Sequence, residues 1–337
     1  MRRVLVFCAK DWRVPDAGLP ERYCYQVFSR MAQQGDQVSW VCQDQFSRLL
    51  SQDARRGVEV AAGIQVARLG LPAFHPMMAS ILYSRLANSG KLSEQYDVVV
   101  DCVNGRPMRI PERADVPVLP LVFRLGRGAG LSDAPPNPLA AASERARQEM
   151  LDAGLDEKHI VYAPYGADTE FYQPGPEPTG PPVLTAVTHR PGRLLRALAA
   201  LARRGVLLDV TIISVRKPWT LQPGVTHIAR APKEERLALY QESSMGYVDA
   251  GTEHEAAAMA ACGLPVVAPE TLEGIEHIRD GETGLLHAPR SQAALEEQLT
   301  KLAQDSALRR QLGAQARQQV TSWDKTTRVI QDLIGKL

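Results

Sequence analysis

The sequence has no run of the roughly 18 apolar residues that a membrane-spanning helix requires. It also has no surplus of either charge. Lys and Arg number 39 against 38 Asp and Glu, a formal net charge of +1. That balance removes the electrostatic signature of a chain built mainly for nucleic acid or an anionic membrane, although a local basic patch is compatible with it. Cysteine is scarce: Cys8, Cys24, Cys42, Cys102 and Cys262 are odd in number, far apart and without a CxxC pair. Neither a disulfide framework nor a zinc site fits, and a reducing compartment does. Cys8, Cys42 and Cys102 lie in or beside apolar runs and read as small buried hydrophobes. The first residues are expected to form a strand and not a secretory leader, because Lys10, Asp11 and Arg13 cut short the apolar run that follows Arg3. The expectation is a cytoplasmic protein with no nucleic-acid partner and no transmembrane segment, limited to peripheral contact with any membrane-bound acceptor.

What is present is an ordinary globular composition, 45% apolar and 23% charged, in 337 residues, enough for two cores. Strand-like and helix-like patterns alternate along it. Val4–Cys8 reads as a parallel strand buried on both faces, Glu21–Gln34 as a helix stopped by Gly35, and Val38–Cys42 as the next strand. Extended segments follow within 58–69, 96–102, 116–123, 139–143 and 160–163, with a helix over 144–153. A Pro- and Gly-rich stretch, Pro174 to Pro182, breaks the series. A second series then runs through strands at 183–187, 208–214, 245–248 and 265–268 and helices at 193–204, 234–242, 255–261, 292–305 and 307–320. The fold class is α/β, two Rossmann-like doubly wound domains. They are expected at 1–172 and 183–318, with a linker at 173–182 and a C-terminal helix over 319–337 crossing back to the first domain, where Trp323 is a packing anchor. Ligands of such sheets bind beyond the carboxyl ends of the strands.

Several segments resemble the large retaining glycosyltransferase family 4 and its relatives. The most specific is Ala260-Ala261-Cys262-Gly263-Leu264-Pro265-Val266-Val267-Ala268, similar to the family's MACGxPVVA. Glu276-His277-Ile278-Arg279-Asp280-Gly281-Glu282-Thr283-Gly284-Leu285-Leu286 resembles EIVxDGxTGLLV, and Arg310 to Arg317 resembles RxxLGxxAR. Ala142-Ser143-Glu144, the run from Tyr162 to Phe171, and Asp16 to Arg22 resemble further family segments. The resemblance implies the GT-B fold, its two Rossmann-like domains facing each other across a cleft. It also implies a hexosyltransferase-type enzyme taking a nucleoside-diphosphate sugar as donor and a saccharide or small molecule as acceptor. Transfer would proceed with retention and without cofactor or metal, and no metal-ligand constellation appears in the sequence.

The resemblance also distributes roles. Gly18, at the first strand-to-helix turn, is placed to let backbone approach a diphosphate. Arg190 and Arg193 follow the strand ending at Val187, where the family neutralises the diphosphate with an arginine and a lysine. Arginine chelates phosphate bidentately, so the replacement is chemically sound. Arg230 and His254 are further donor-side candidates. The family carries two glutamates around a glycine-rich turn, the first on the transferred sugar and the second on the ribose. Glu253 matches the first only if that turn is shortened, and the second falls on Ala258. Glu255, one helical turn earlier, is placed to substitute for it. Glu253 and Glu255 fit equally well as acids at a helix N-terminus, where the macrodipole favours them. On the acceptor or phosphate side the candidates are Asn104 and Arg124, the latter where the family often has a histidine. Gly126, Gly128 and Gly130 follow it.

The leading expectation is a glycosyltransferase with Glu253 as its catalytic residue. The lost glutamate and the missing histidine leave an alternative, a weak or inactive relative that acts as a binding or partner subunit. A GT-B epimerase or phosphorylase would need catalytic acids in both domains or a lysine-bound cofactor, and no motif for either is seen.

Overall fold

The computed structural model describes residues 1–13, 17–43, 58–69, 92–102, 115–125, 138–176, 178–218 and 220–337. They form two compact units, Met1–Pro164 with Trp323–Leu337, and Tyr165–Ser322.

In the first unit, β1 (Arg3–Phe7) leads to α1 (Leu19–Gln33), β2 (Gln37–Gln43), β3 (Val58–Ala61) and β4 (Ile64–Leu69). Then come α2 (Leu92–Gln95), β5 (Val98–Asp101), β6 (Val118–Val122), β7 (Leu139–Ala141), α3 (Glu144–Asp152) and β8 (Ile160–Tyr162). The strands make one sheet in the order β3-β4-β2-β1-β5-β6-β7-β8. All pairings are parallel except β3 with β4, a hairpin turned at Ala62 and Gly63, both with positive φ. Val4, Val6, Val98, Val99 and Val100 are at most 1% exposed, as befits parallel strands covered on both faces. All five cysteines are free and buried, the packing role expected of Cys8, Cys42 and Cys102.

The chain's last helix belongs to this unit. Trp323 meets Tyr23 of α1 edge-to-face at 5.3 Å, and Phe123 meets the same ring at 5.1 Å. The Tyr23 hydroxyl donates to the carbonyl of Ala163 at 2.7 Å, and Arg30 pairs with Asp324 at 3.0 Å. A buried tyrosine with its hydroxyl satisfied, held between two aromatic edges, anchors the C-terminal segment firmly.

The second unit runs β9 (Val183–Val187), α4 (Gly192–Arg203), β10 (Asp209–Ile213), β11 (Val225–Ile228), α5 (Lys233–Gln241), β12 (Met245–Val248), α6 (Glu255–Ala261) and β13 (Val266–Pro269). It continues with α7 (Leu272–His277), β14 (Gly284–His287), α8 (Gln292–Gln304) and α9 (Ser306–Gln319); α10 (Trp323–Ile334) is the helix of the first unit already described. Its all-parallel sheet has the order β11-β10-β9-β12-β13-β14. Leu194, Ala197, Leu198 and Leu201 place one buried stripe of α4 on the sheet, at the spacing of a single helix face.

Residues 165–172, grouped with the first domain in the sequence reading, pack on the second unit. Ala167 donates its N–H to Thr321, and Tyr172 lies 6.1 Å from Tyr240. The start of the Pro- and Gly-rich stretch packs against α5. A Cβ on Gly175 would lie 2.6 Å from that of Gln241, whose amide also donates to the Gln173 carbonyl at 2.9 Å.

The C-terminal motif residues owe their identity to close approach. A Cβ on Gly313 of α9 would lie 2.0 Å from the carbonyl oxygen of Gly263, and one on Gly284 would lie 2.4 Å from that of Val266. Gly313→Ala gains about 1 kcal/mol of helix propensity but must push two backbones apart. We expect a net loss of about 1–3 kcal/mol in chemical denaturation; a variant as stable as the parent would show that the contact is loose.

Candidate functional site

The order of the second sheet reverses at β9, whose neighbours β10 and β12 lie on either side. The connections leave β9 and β12 in opposite directions there and open a crevice beyond their carboxyl ends. A cavity of about 1290 Å³ lies at this place, lined from the segments that follow β9, β10, β12, β13 and β14.

A hydrogen-bonded lash holds its base. The Thr252 hydroxyl donates to the Val187 carbonyl at 2.8 Å and accepts from the Asp249 N–H at 3.0 Å. Asp249 accepts from the Thr188 hydroxyl and, at 3.3 Å, from the His189 N–H. The ends of β9 and β12 are thereby joined. Tyr247 and His287, each 2% exposed, line the cavity from the sheet. Pairing of Tyr247 with Val267, Val267 with Leu285, and Pro269 with His287 sets them on one sheet face. Burial keeps His287 neutral, and Arg193 adds to that effect. Its Nδ1 lies 3.0 Å from the Ala288 carbonyl, which can only accept, so Nδ1 carries the proton.

The walls are cationic. Arg190, Arg193, Arg196, Arg216, Lys217 and Arg290 line the cavity, and Asp249 is the lone carboxylate among the lining residues. None of the six cations forms an ion pair among the described residues. Gly192, Arg193 and Arg196 belong to α4, whose N-terminus has no side-chain cap and no acid in its first turn. Positive side chains against the positive end of a helix repel it, unless an anion sits there. Uncapped N–H groups, guanidinium donors and little competing negative charge make the arrangement chemically suited to an anion.

Of the expected donor-side residues, Arg190 and Arg193 come together in this cavity. Glu253 lies immediately behind its wall. It is 4% exposed, accepts from the Gly251 N–H at 2.6 Å, and receives a long 3.5 Å bond from the hydroxyl of Thr271, a lining residue. Burial raises its pKa against those backbone donors. Glu255 is engaged elsewhere, as a buried carboxylate paired with Arg236 and accepting from the Tyr240 hydroxyl at 3.0 Å. Both its oxygens thus serve the packing of α6 on α5, which differs from the expected ribose contact. His254 stands edge-to-face to Tyr165 at 5.6 Å with its Nε2 3.6 Å from Glu255, and it does not line the cavity. Arg230 is exposed and outside the lining. In the first unit the Gly18 N–H is taken by the Glu21 carboxylate at 2.8 Å, so the start of α1 already carries a negative charge of its own. Arg124 is exposed, 3.9 Å from Glu149. Asn104, Gly126, Gly128 and Gly130 lie outside the described residues.

Sequence reasoning missed Arg196, Arg216, Lys217 and Arg290. Their signal is positional, since each follows the carboxyl end of a strand or opens the helix after one. It required knowing where β10 and β14 end, and β14 was not recognised from the sequence.

Residues 220–319 match a family model described as glycosyl transferases group 1. No curated protein matches the chain. Among solved structures, sucrose-phosphate synthase from Thermosynechococcus elongatus superposes with a TM-score of 0.75 at 15% identity, covering 100% of this chain and 99% of that one. A glycosyltransferase from Rickettsia africae gives 0.75 at 13% identity over 99% and 98%. Anabaena HepE, in complex with UDP-glucose, gives 0.69 at 14% over 100% of both. The fold is GT-B, and residues 220–319, in the second unit, are similar to group 1 glycosyl transferases. The alternative of an inactive partner subunit receives no support from these matches.

Glu255 offers a check on this account. Burial alone would raise its pKa, but Arg236, His254 and Tyr240 outweigh that and hold it below 4.5. A depressed folded-state pKa adds stability that is present above the unfolded value and lost as pH falls through the folded one. Unfolding measured from pH 7 to pH 3 should show that loss below about pH 4.5, and Glu255→Gln should flatten it while costing about 3–5 kcal/mol at neutral pH. An unchanged acid limb in the variant would sink the assignment.

Proposed function

We propose that the protein transfers a sugar from a nucleoside-diphosphate sugar to a saccharide or small-molecule acceptor, with retention at the anomeric carbon. The observation that carries this reading is the cavity of six cations against one carboxylate at the start of α4, in the unit that holds the group 1 domain.

The diphosphate lies against the uncapped N–H groups of α4, with Arg190 and Arg193 on its oxygens. As the bond between the anomeric carbon and the diphosphate breaks, negative charge grows on the leaving phosphate. Guanidinium groups already aimed at that place stabilise the transition state more than the ground state. Asp249, tied to Thr188 and His189, fixes the loop that carries Arg190. Glu253 orients the sugar through its carboxylate, and its burial behind Thr271 keeps water from competing for those bonds. His287, an acceptor at Nε2, and the Tyr247 hydroxyl are suited to the hydroxyl groups of a nucleotide sugar.

Calorimetric titration with UDP, GDP, TDP and ADP and their glucose conjugates tests the reading; HepE with UDP-glucose makes the uridine series the first to run. One series should bind in the micromolar range, and Arg193→Ala should weaken it by about 10–100-fold, the worth of one charged hydrogen bond. Glu253→Gln should depress turnover at least 100-fold and leave nucleotide affinity within a few-fold. Failure of every nucleotide to bind would overturn the reading.

A further inference from the structure

The diphosphate of a nucleotide sugar brings about one negative charge per phosphate, hence about two. The cavity supplies six cations, and Asp249, its one carboxylate, is already engaged by Thr188 and His189. Arg190 and Arg193 with the α4 N-terminus suffice for a diphosphate. Of the other four, Arg196 lies one turn further along α4, while Arg216 and Lys217 follow β10 on one side of β9 and Arg290 follows β14 on the other.

Arg290 carries an independent mark. Its φ is +66°, the left-handed region that L side chains other than Asn and Asp avoid and that glycine adopts freely. A residue held there costs conformational energy that a glycine would not. Strain of that kind, on a cavity wall and on a cation with no ion pair among the described residues, points to a side chain kept for what it binds.

We propose that the cavity selects a donor carrying negative charge beyond its diphosphate, a carboxylate on the sugar or a further phosphate on the nucleotide, and that Arg290 with Arg216 and Lys217 holds that charge. The proposal rests on the nucleotide-sugar reading above and adds the class of donor.

Calorimetry on the base that binds, with the diphosphate, its glucose conjugate, its glucuronate conjugate and the triphosphate, tests it. The protein should prefer at least one charged ligand to the glucose conjugate by about 10-fold or more, increasingly so at low salt. Preference for the glucuronate conjugate alone puts the extra charge on the sugar; preference for the triphosphate alone puts it on the nucleotide. In Arg290→Gly and in Arg216→Gln/Lys217→Gln the preference should fall below about threefold. The melting temperature of Arg290→Gly should hold or rise, whereas a purely structural arginine would lower it on removal. Equal or tighter binding of the glucose conjugate, or an intact preference in both variants, overturns the inference and leaves the donor reading standing. Absence of all nucleotide binding removes both.

Discussion

The lash between the ends of β9 and β12 is the constraint on which the site depends. Two adjacent strands that send their connections in opposite directions leave a gap, and a gap lined by loops is useful only if the loops stay put. Thr252 bridges the Val187 carbonyl and the Asp249 N–H, and Asp249 reaches back to Thr188 and His189. These bonds satisfy backbone groups that would otherwise face the cavity unpaired. They also fix the place where α4 begins, and so the direction in which its uncapped N–H groups point. Without that closure Arg190 and Arg193 would be two surface arginines; with it they line one cavity.

Glu253 and Glu255 show how two residues of spacing separate a poorly compensated carboxylate from a fully paired one. Both are buried. Glu255 meets a guanidinium and a phenol, so its charge is compensated and its pKa falls. Glu253 meets backbone N–H groups and a hydroxyl, and desolvation wins. A carboxylate whose charge is poorly compensated by protein is the better placed of the two to seek a partner in a ligand. The assignment of roles comes from what surrounds each side chain, which the spacing along the chain does not reveal.

Much of the architecture was legible in the sequence. Valine runs such as Val98–Val100 can hardly be anything but strands covered on both faces, and the stripe of α4 leaves no doubt about its buried side. The elements that escaped are short and poorly marked. β11 (Val225–Ile228) is a half-exposed edge carrying a histidine, and β14 (Gly284–His287) opens on a glycine, which weakens any strand pattern. The cavity lining was legible at Arg190 and Arg193, which follow a recognisable strand, and opaque where partners come from distant segments. Nothing near Glu255 in sequence announces Arg236 and Tyr240, 19 and 15 residues away, and they decide its function.

Six like charges around one cavity raise the question of why the unit tolerates them. Arg190, Arg196, Arg216, Lys217 and Arg290 are exposed, and only Arg193 is half-buried. Water therefore screens the repulsion in the free protein, and separated exposed charges cost little at physiological salt. An anionic ligand that entered would displace that water and lower the local dielectric, so each guanidinium would act more strongly on it than on its neighbours. The penalty is small when the cavity is empty and the attraction large when it is filled. That asymmetry is what a site for a charged leaving group requires. It explains why the cations stand on loops and a helix end, where solvent reaches them, while the neutral His287 and Tyr247 occupy the dry inner wall.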